Sequence, residues 1–96
     1  MDLRQIRYFL VLSEELNFTK AAERCNISQP PLSRAIAQLE EELGAPLFIR
    51  NTHQVALTPA GHSLVEDARR LLSCVEDAAD KARRTARGQR GTLKLG

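Results

Sequence analysis

From Asn17 to Leu43 the alternation of apolar and polar positions reads as a short helix, a tight turn and a longer helix. Ala21 and Ala22 are small enough to let two helices approach closely. Leu32, Ile36, Leu39 and Leu43 recur at helical spacing and turn one stripe of the second helix inward. Between them, Asn26 is flanked by Cys25 and Ile27 and can take the left-handed backbone conformation that ends the first helix. The outer side of the second helix carries Gln29, Pro30, Ser33, Arg34, Ala37 and Gln38, polar near its start and free of long apolar residues. A helix that presents Gln, Ser and Arg from its first turns suits a DNA major groove. The pattern predicts a helix-turn-helix.

The flanking segments complete a small domain over residues 1–58. Asp2 followed by Gln5 predicts a capping box at the start of an earlier helix. Leu3, Ile6, Phe9, Leu10 and Leu16 form one broad apolar face of that helix, with Arg4, Arg7, Glu14 and Glu15 left to solvent; Arg4 and Arg7 could touch phosphates, but an exposed helix face is the plainer reading. Asn17 and Ser28 are placed to cap the next two helices, and Pro30 and Pro31 fit a first helical turn, where missing amide protons cost nothing. The run Glu40–Glu42 would repel phosphates, which places that end of the second helix away from a nucleic-acid backbone. Gly44 and Pro46 stop the helix. Two short β-like runs, 47–50 and 55–58, are joined by Asn51-Thr52-His53-Gln54 and predict a hairpin wing.

Thr58-Pro59 is a helix start, a cap followed by proline at the first helical position. The helical pattern then continues to Arg87, roughly 43 Å at about 1.5 Å per residue. Leu64, Ala68, Leu71, Val75, Ala78 and Ala82 alternate at spacings of four and three, a seam that predicts pairing with the same helix of a second subunit over 59–87. Residues 88–96 are basic, glycine-punctuated and end on Leu93 and Leu95. They read as a hinge and the opening strand of a further domain, as though the chain were the N-terminal piece of a larger protein.

Composition narrows the picture. Hydrophobic residues make up 43 % of the 96 positions but aromatic ones only 4 %, so the core is expected to be Leu, Ile, Val and Ala in a mainly helical fold. Residues 1–58 carry six Lys and Arg against seven acids, and residues 59–96 eight against five. Non-specific attraction to a polyanion is therefore weak, and DNA binding must rest on a few placed contacts and two copies. Cys25 and Cys74 lie far apart on apolar stripes and are expected to be buried, reduced thiols of a cytoplasmic protein. No apolar run is long enough for a membrane span. His53 and His62 lack partners at metal-ligand spacing, and Cys25 lacks an activating base, so no catalytic, cofactor or metal site is expected and the chain does not read as an enzyme.

The stretches LRQIRYFLVLSEELNFTKAAERCNISQPPLSRAIAQLEEELGAPLFIR and VALTPAG, the long helix and the RGTLKLG exit together resemble the DNA-binding domain of LysR-type transcriptional regulators. The most specific piece is AAERCNISQPPLSRAIAQLEEELGAPLF. The resemblance implies a winged helix-turn-helix of three helices and a two-stranded wing, followed by a dimerising linker helix. It implies binding of double-stranded DNA at an interrupted palindrome, an effector-sensing domain further on that takes a small-molecule inducer, and tetramers of the full-length protein. By position it places Gln29, Pro30, Pro31, Ser33 and Arg34 in the major groove. It places Arg50, the turn at His53, and Thr58 along the backbone and near the minor groove. The family often has arginine where this chain has His53, and an imidazole near pH 7 is mostly neutral.

Arg34 is the best candidate for base reading, since a guanidinium can bond guanine through two donors. Gln29 can pair with adenine, Ser33 can reach a base or a phosphate, and the prolines can touch a thymine methyl. The competing reading is a homodimerising protein-interaction module without specific DNA readout, which the mildly acidic first 58 residues favour.

Overall fold

The computed structural model describes residues 1–92 and contains four helices and one antiparallel hairpin: α1 (Leu3–Glu15), α2 (Phe18–Arg24), α3 (Gln29–Leu43), β1 (Phe48–Arg50), β2 (Val55–Leu57) and α4 (Pro59–Thr92). The expected opening strand at Leu93 and Leu95 lies outside the described residues.

Local chemistry sets the helix ends. The Gln5 amide donates to Asp2 Oδ1 at 2.8 Å and the Asp2 amide to Gln5 Oε1 at 3.0 Å, so the capping box forms. Asn17 accepts from the Lys20 amide at 2.9 Å and caps α2. Asn26 adopts φ 58° and turns the chain toward α3, and Gly44, at φ 70°, ends α3 as a left-handed cap. A third left-handed residue, Leu16 at φ 51°, closes α1. Ser28 occupies the N-cap of α3 but its hydroxyl makes no capping bond, contrary to expectation.

Helix α1 lies against α2, α3 and the start of α4, and the core gathers around it. Ile6, Phe9 and Leu12 of α1 meet Ala21 and Ala22 of α2, Leu32, Ile36 and Leu39 of α3, and Leu47 and Phe48 at the wing's base. The Phe9 and Phe48 rings are 5.5 Å apart, tilted by 51°, and tie the wing to the first helix. Leu3, Leu16 and Leu43, expected on apolar faces, are exposed; each stands at a helix end. The exposed N-terminal ammonium pairs with Glu42 and lowers that carboxyl's pKa.

The long helix departs from expectation in two ways. It continues past Arg87 to Thr92, so the glycines at 88 and 91 do not break it. Its seam is also divided. Ala68 is fully buried and belongs to the head's own core, with Ala60, Leu64, Val65 and Leu72 packed around it, because the first turns of α4 lie across α1. Leu71 and Val75 remain 42 % and 40 % exposed, and Ala78 and Ala82 are exposed as well. Ala68 is therefore closed to a partner, and the apolar surface that α4 offers outward starts at Leu71.

The cysteines differ from each other. Cys25 is half-buried, and burial pushes its thiol pKa up against the opposing pull of Arg24 and Arg7. Cys74 is exposed on α4, not buried as its place in an apolar stripe suggested. No helix among the described residues is long and apolar enough to cross a membrane.

Candidate nucleic-acid interface

With Leu32, Ile36 and Leu39 drawn into the core, helical geometry leaves the opposite face of α3 outward. Gln29, Pro30 and Arg34 are exposed there, and Pro31 and Ser33 are half-buried. Two of the first three residues of α3 are prolines, so Gln29 alone among them has an amide proton to offer. The entry to the helix is consequently more apolar than an ordinary helix start.

The wing stands beside that entry. Phe48 pairs with Leu57, Ile49 with Ala56 and Arg50 with Val55. Its turn is built on Asn51, whose Oδ1 accepts from the His53 amide at 2.9 Å and the Gln54 amide at 2.7 Å. His53 is exposed at the tip. Gln29, the turn residues 51–55, and residues 16–19 around the start of α2 line one open cleft of about 240 Å³. The structure thus brings Gln29 and His53 to one cleft from distant parts of the sequence. Asn17 and Thr19 also line it, a contribution that sequence reasoning missed. The only signal was the capping role of Asn17, which marks where α2 begins.

Two predicted contacts are placed differently. Thr58 is 8 % exposed; its hydroxyl donates to the Pro46 carbonyl at 2.7 Å and accepts from the Gly61 amide at 3.0 Å. It caps α4 and locks the wing's return, and its hydroxyl is spent within the chain. Arg50 is engaged too. Its guanidinium donates to Glu40 Oε1 at 2.9 Å and lies over the Phe18 ring, 5.3 Å from the centroid. The other Glu40 oxygen accepts from the Leu47 amide at 2.7 Å and the Phe48 amide at 3.3 Å. Glu40, read from sequence only as a repellent charge, is the tether between α3 and β1.

Glu40→Ala leaves two amides and a guanidinium without their acceptor. It should cost about 2 kcal/mol in urea unfolding and speed hydrogen exchange at 48–57. An unchanged midpoint with unchanged exchange would remove Glu40 from this role.

Arg24 is held by Glu14 at 2.8 Å and Glu15 at 3.0 Å, whose hydrogen bonds raise its pKa; these exposed pairs add little stability. Arg34, in contrast, has no carboxylate partner among the described residues. No group of His, Cys, Asp and Glu among the described residues could hold a metal ion.

An outward helix that opens with Gln, Ser and Arg, a wing beside it and a long helix behind it define a winged helix-turn-helix protein. The family model for bacterial regulatory helix-turn-helix proteins of the lysR family matches residues 3–62. The chain belongs to the LysR family of bacterial regulators. It is 50 % identical over 96 residues to the HTH-type transcriptional regulator BudR of Klebsiella aerogenes, covering all of this chain and 67 % of BudR. It is 48 % identical over 96 residues to YnfL of Escherichia coli K12, an uncharacterised HTH-type transcriptional regulator, of which it covers 32 %. The chain thus spans from about a third to two thirds of these relatives' lengths. Its fold matches the DNA-binding domain of BenM, solved in complex with catB site 1 DNA. The TM-score is 0.86 at 48 % identity, over 90 % of this chain and 97 % of that one.

Proposed function

We propose that this chain is the sequence-specific DNA-binding and dimerising part of a cytoplasmic transcriptional regulator. Two copies bind an interrupted palindrome, each with α3 in a major groove and the wing near the adjoining minor groove. A sensing domain elsewhere in the full-length protein takes a small-molecule inducer and supports tetramers. The observation that carries the reading is the outer face of α3, where Gln29 stands exposed beside the wing's cleft and Arg34, without a carboxylate partner among the described residues, is exposed on the side toward α1. The DNA complex of the similar BenM domain supports it. Arg34 reads a base, Gln29 and Ser33 add contacts, the prolines offer apolar surface, and His53 approaches the DNA at the wing's tip. Leu71, Val75, Ala78 and Ala82 supply the pairing surface.

The test is enrichment of a randomised duplex library on the protein, followed by titration of the enriched duplex and a scrambled one of equal composition. An interrupted palindrome is expected to emerge, and Arg34→Ala should weaken its binding about 10- to 100-fold while leaving the scrambled duplex less affected. Failure to enrich any sequence, with a dimer still present, would favour the interaction-module reading. The acidic balance of residues 1–58 is the observation behind that alternative.

A further inference from the structure

Arg4 and Tyr8, one turn apart on α1, face Pro31, Arg34 and Gln38 of α3 across an open groove of about 270 Å³, with Ala35 at its floor. Two arginines from different helices therefore line one opening. Neither has a carboxylate partner among the described residues, whereas Arg24 and Arg50 of the same head are both ion-paired. No acid lines the groove, and Tyr8 and Gln38 add a hydroxyl and an amide as further donors. Two cations that share an opening without a counter-charge repel each other, and an anion taken up in that opening relieves the repulsion. Ala35 is 8 % exposed and puts little bulk in the way.

We infer that this groove takes a phosphodiester group of the DNA, so that Arg4 and Tyr8 carry the interface from α3 onto α1. The inference rests on the DNA-binding reading above. A helix with its side chains is about 10–12 Å across and the major groove about 12 Å wide, so both flanks of a docked helix meet a sugar-phosphate chain. Gln29 faces the wing's cleft, while Pro31, Arg34 and Gln38 face α1. The strand on the wing side is met by that cleft, and the strand on the other side by Arg4. Beyond Gln38 a neighbouring hollow is lined by Asp2, Glu41 and the ammonium-paired Glu42; Asp2 and Glu41 repel phosphates there and favour the contact at the arginine end. Arg4 fixes the register of the head on the backbone, and Arg34, beside the same phosphate, has further N–H donors to turn toward a base edge.

Arg4 is exposed, so Arg4→Gln should fold as the parent does, and Arg4→Lys keeps the charge. Both are titrated against the enriched and scrambled duplexes across a salt series, with phosphate-ethylation interference on the enriched one. Arg4→Gln should weaken both duplexes by the same factor, about three- to tenfold. It should lower the slope of log affinity on log salt by about 0.9 for each half-site bound, and one ethylation-sensitive phosphate per half-site should disappear. Arg4→Lys should restore the slope. Unchanged affinity and slope in Arg4→Gln, with the parent still preferring its enriched duplex, would overturn this inference and leave the DNA reading standing. A loss confined to the enriched duplex would make Arg4 a base reader and overturn the phosphate assignment. A parent that binds neither duplex would overturn both.

Discussion

Gly61→Ala should destabilise the chain by about 3 kcal/mol, in line with overpacking at the costly end of its range. A Cβ at position 61 would lie 2.2 Å from the Leu47 carbonyl oxygen and 2.8 Å from Leu57 Cδ2. The leucine methyl can rotate aside, but the carbonyl cannot, because it accepts the Thr58 amide at 3.0 Å where the wing returns to the helix. Thr58 in turn joins the Pro46 carbonyl to the Gly61 amide, so three backbone segments meet around one missing side chain. Urea unfolding checks this, with Gly88→Ala as a control at a position where an added Cβ meets nothing within 4 Å. A Gly61→Ala midpoint equal to the parent's would show that the junction yields.

Leu71→Asp should shift the solution mass from dimer to monomer and reduce affinity for a two-half-site duplex at least about a hundredfold, since the second head then loses its high effective concentration. Leu71 is 42 % exposed, so the aspartate stays in water in the isolated chain and the fold should survive. Ala68→Asp, three residues earlier, should instead unfold the head, because it buries a charge against α1 where Ala68 is fully enclosed. Sedimentation velocity together with thermal unfolding separates the two. A Leu71→Asp chain that keeps the dimer mass would rule out the seam.

Most of the fold was legible in the sequence because its signals are local. The Asp2–Gln5 box, the Asn17 cap, the left-handed Asn26 and the Gly44 stop each depend on residues within one turn of each other. The apolar stripe of α3 was equally plain, and with it the outward face that carries Gln29 and Arg34.

What escaped depends on which surfaces meet. A seam with spacings of four and three looks the same whether it faces a second subunit or the chain's own first helix, and α4 divides its apolar positions between the two directions. Glu40 and Arg50 are ten residues apart on different elements, and only the path of β1 makes them partners. Thr58 was placed correctly as a cap, but its second bond, to Pro46, needed the wing's return to be known. The meeting of Arg4 with Arg34 spans thirty positions and comes from the packing of α1 on α3, which no spacing encodes.

The division of α4 also has a metrical consequence. Ala68 is seated in the head and Leu71 begins the exposed stretch within a single uninterrupted helix, so about 4.5 Å of axis separates anchor from outward surface. No loop lies between them to absorb rotation. In a pair joined through that stretch, each head would be rigidly geared to the joint, and the distance and angle between the two α3 helices would be set by helical geometry. Such a pair works as a caliper of fixed opening, and the length of the gap between half-sites would count toward recognition as much as the bases inside them.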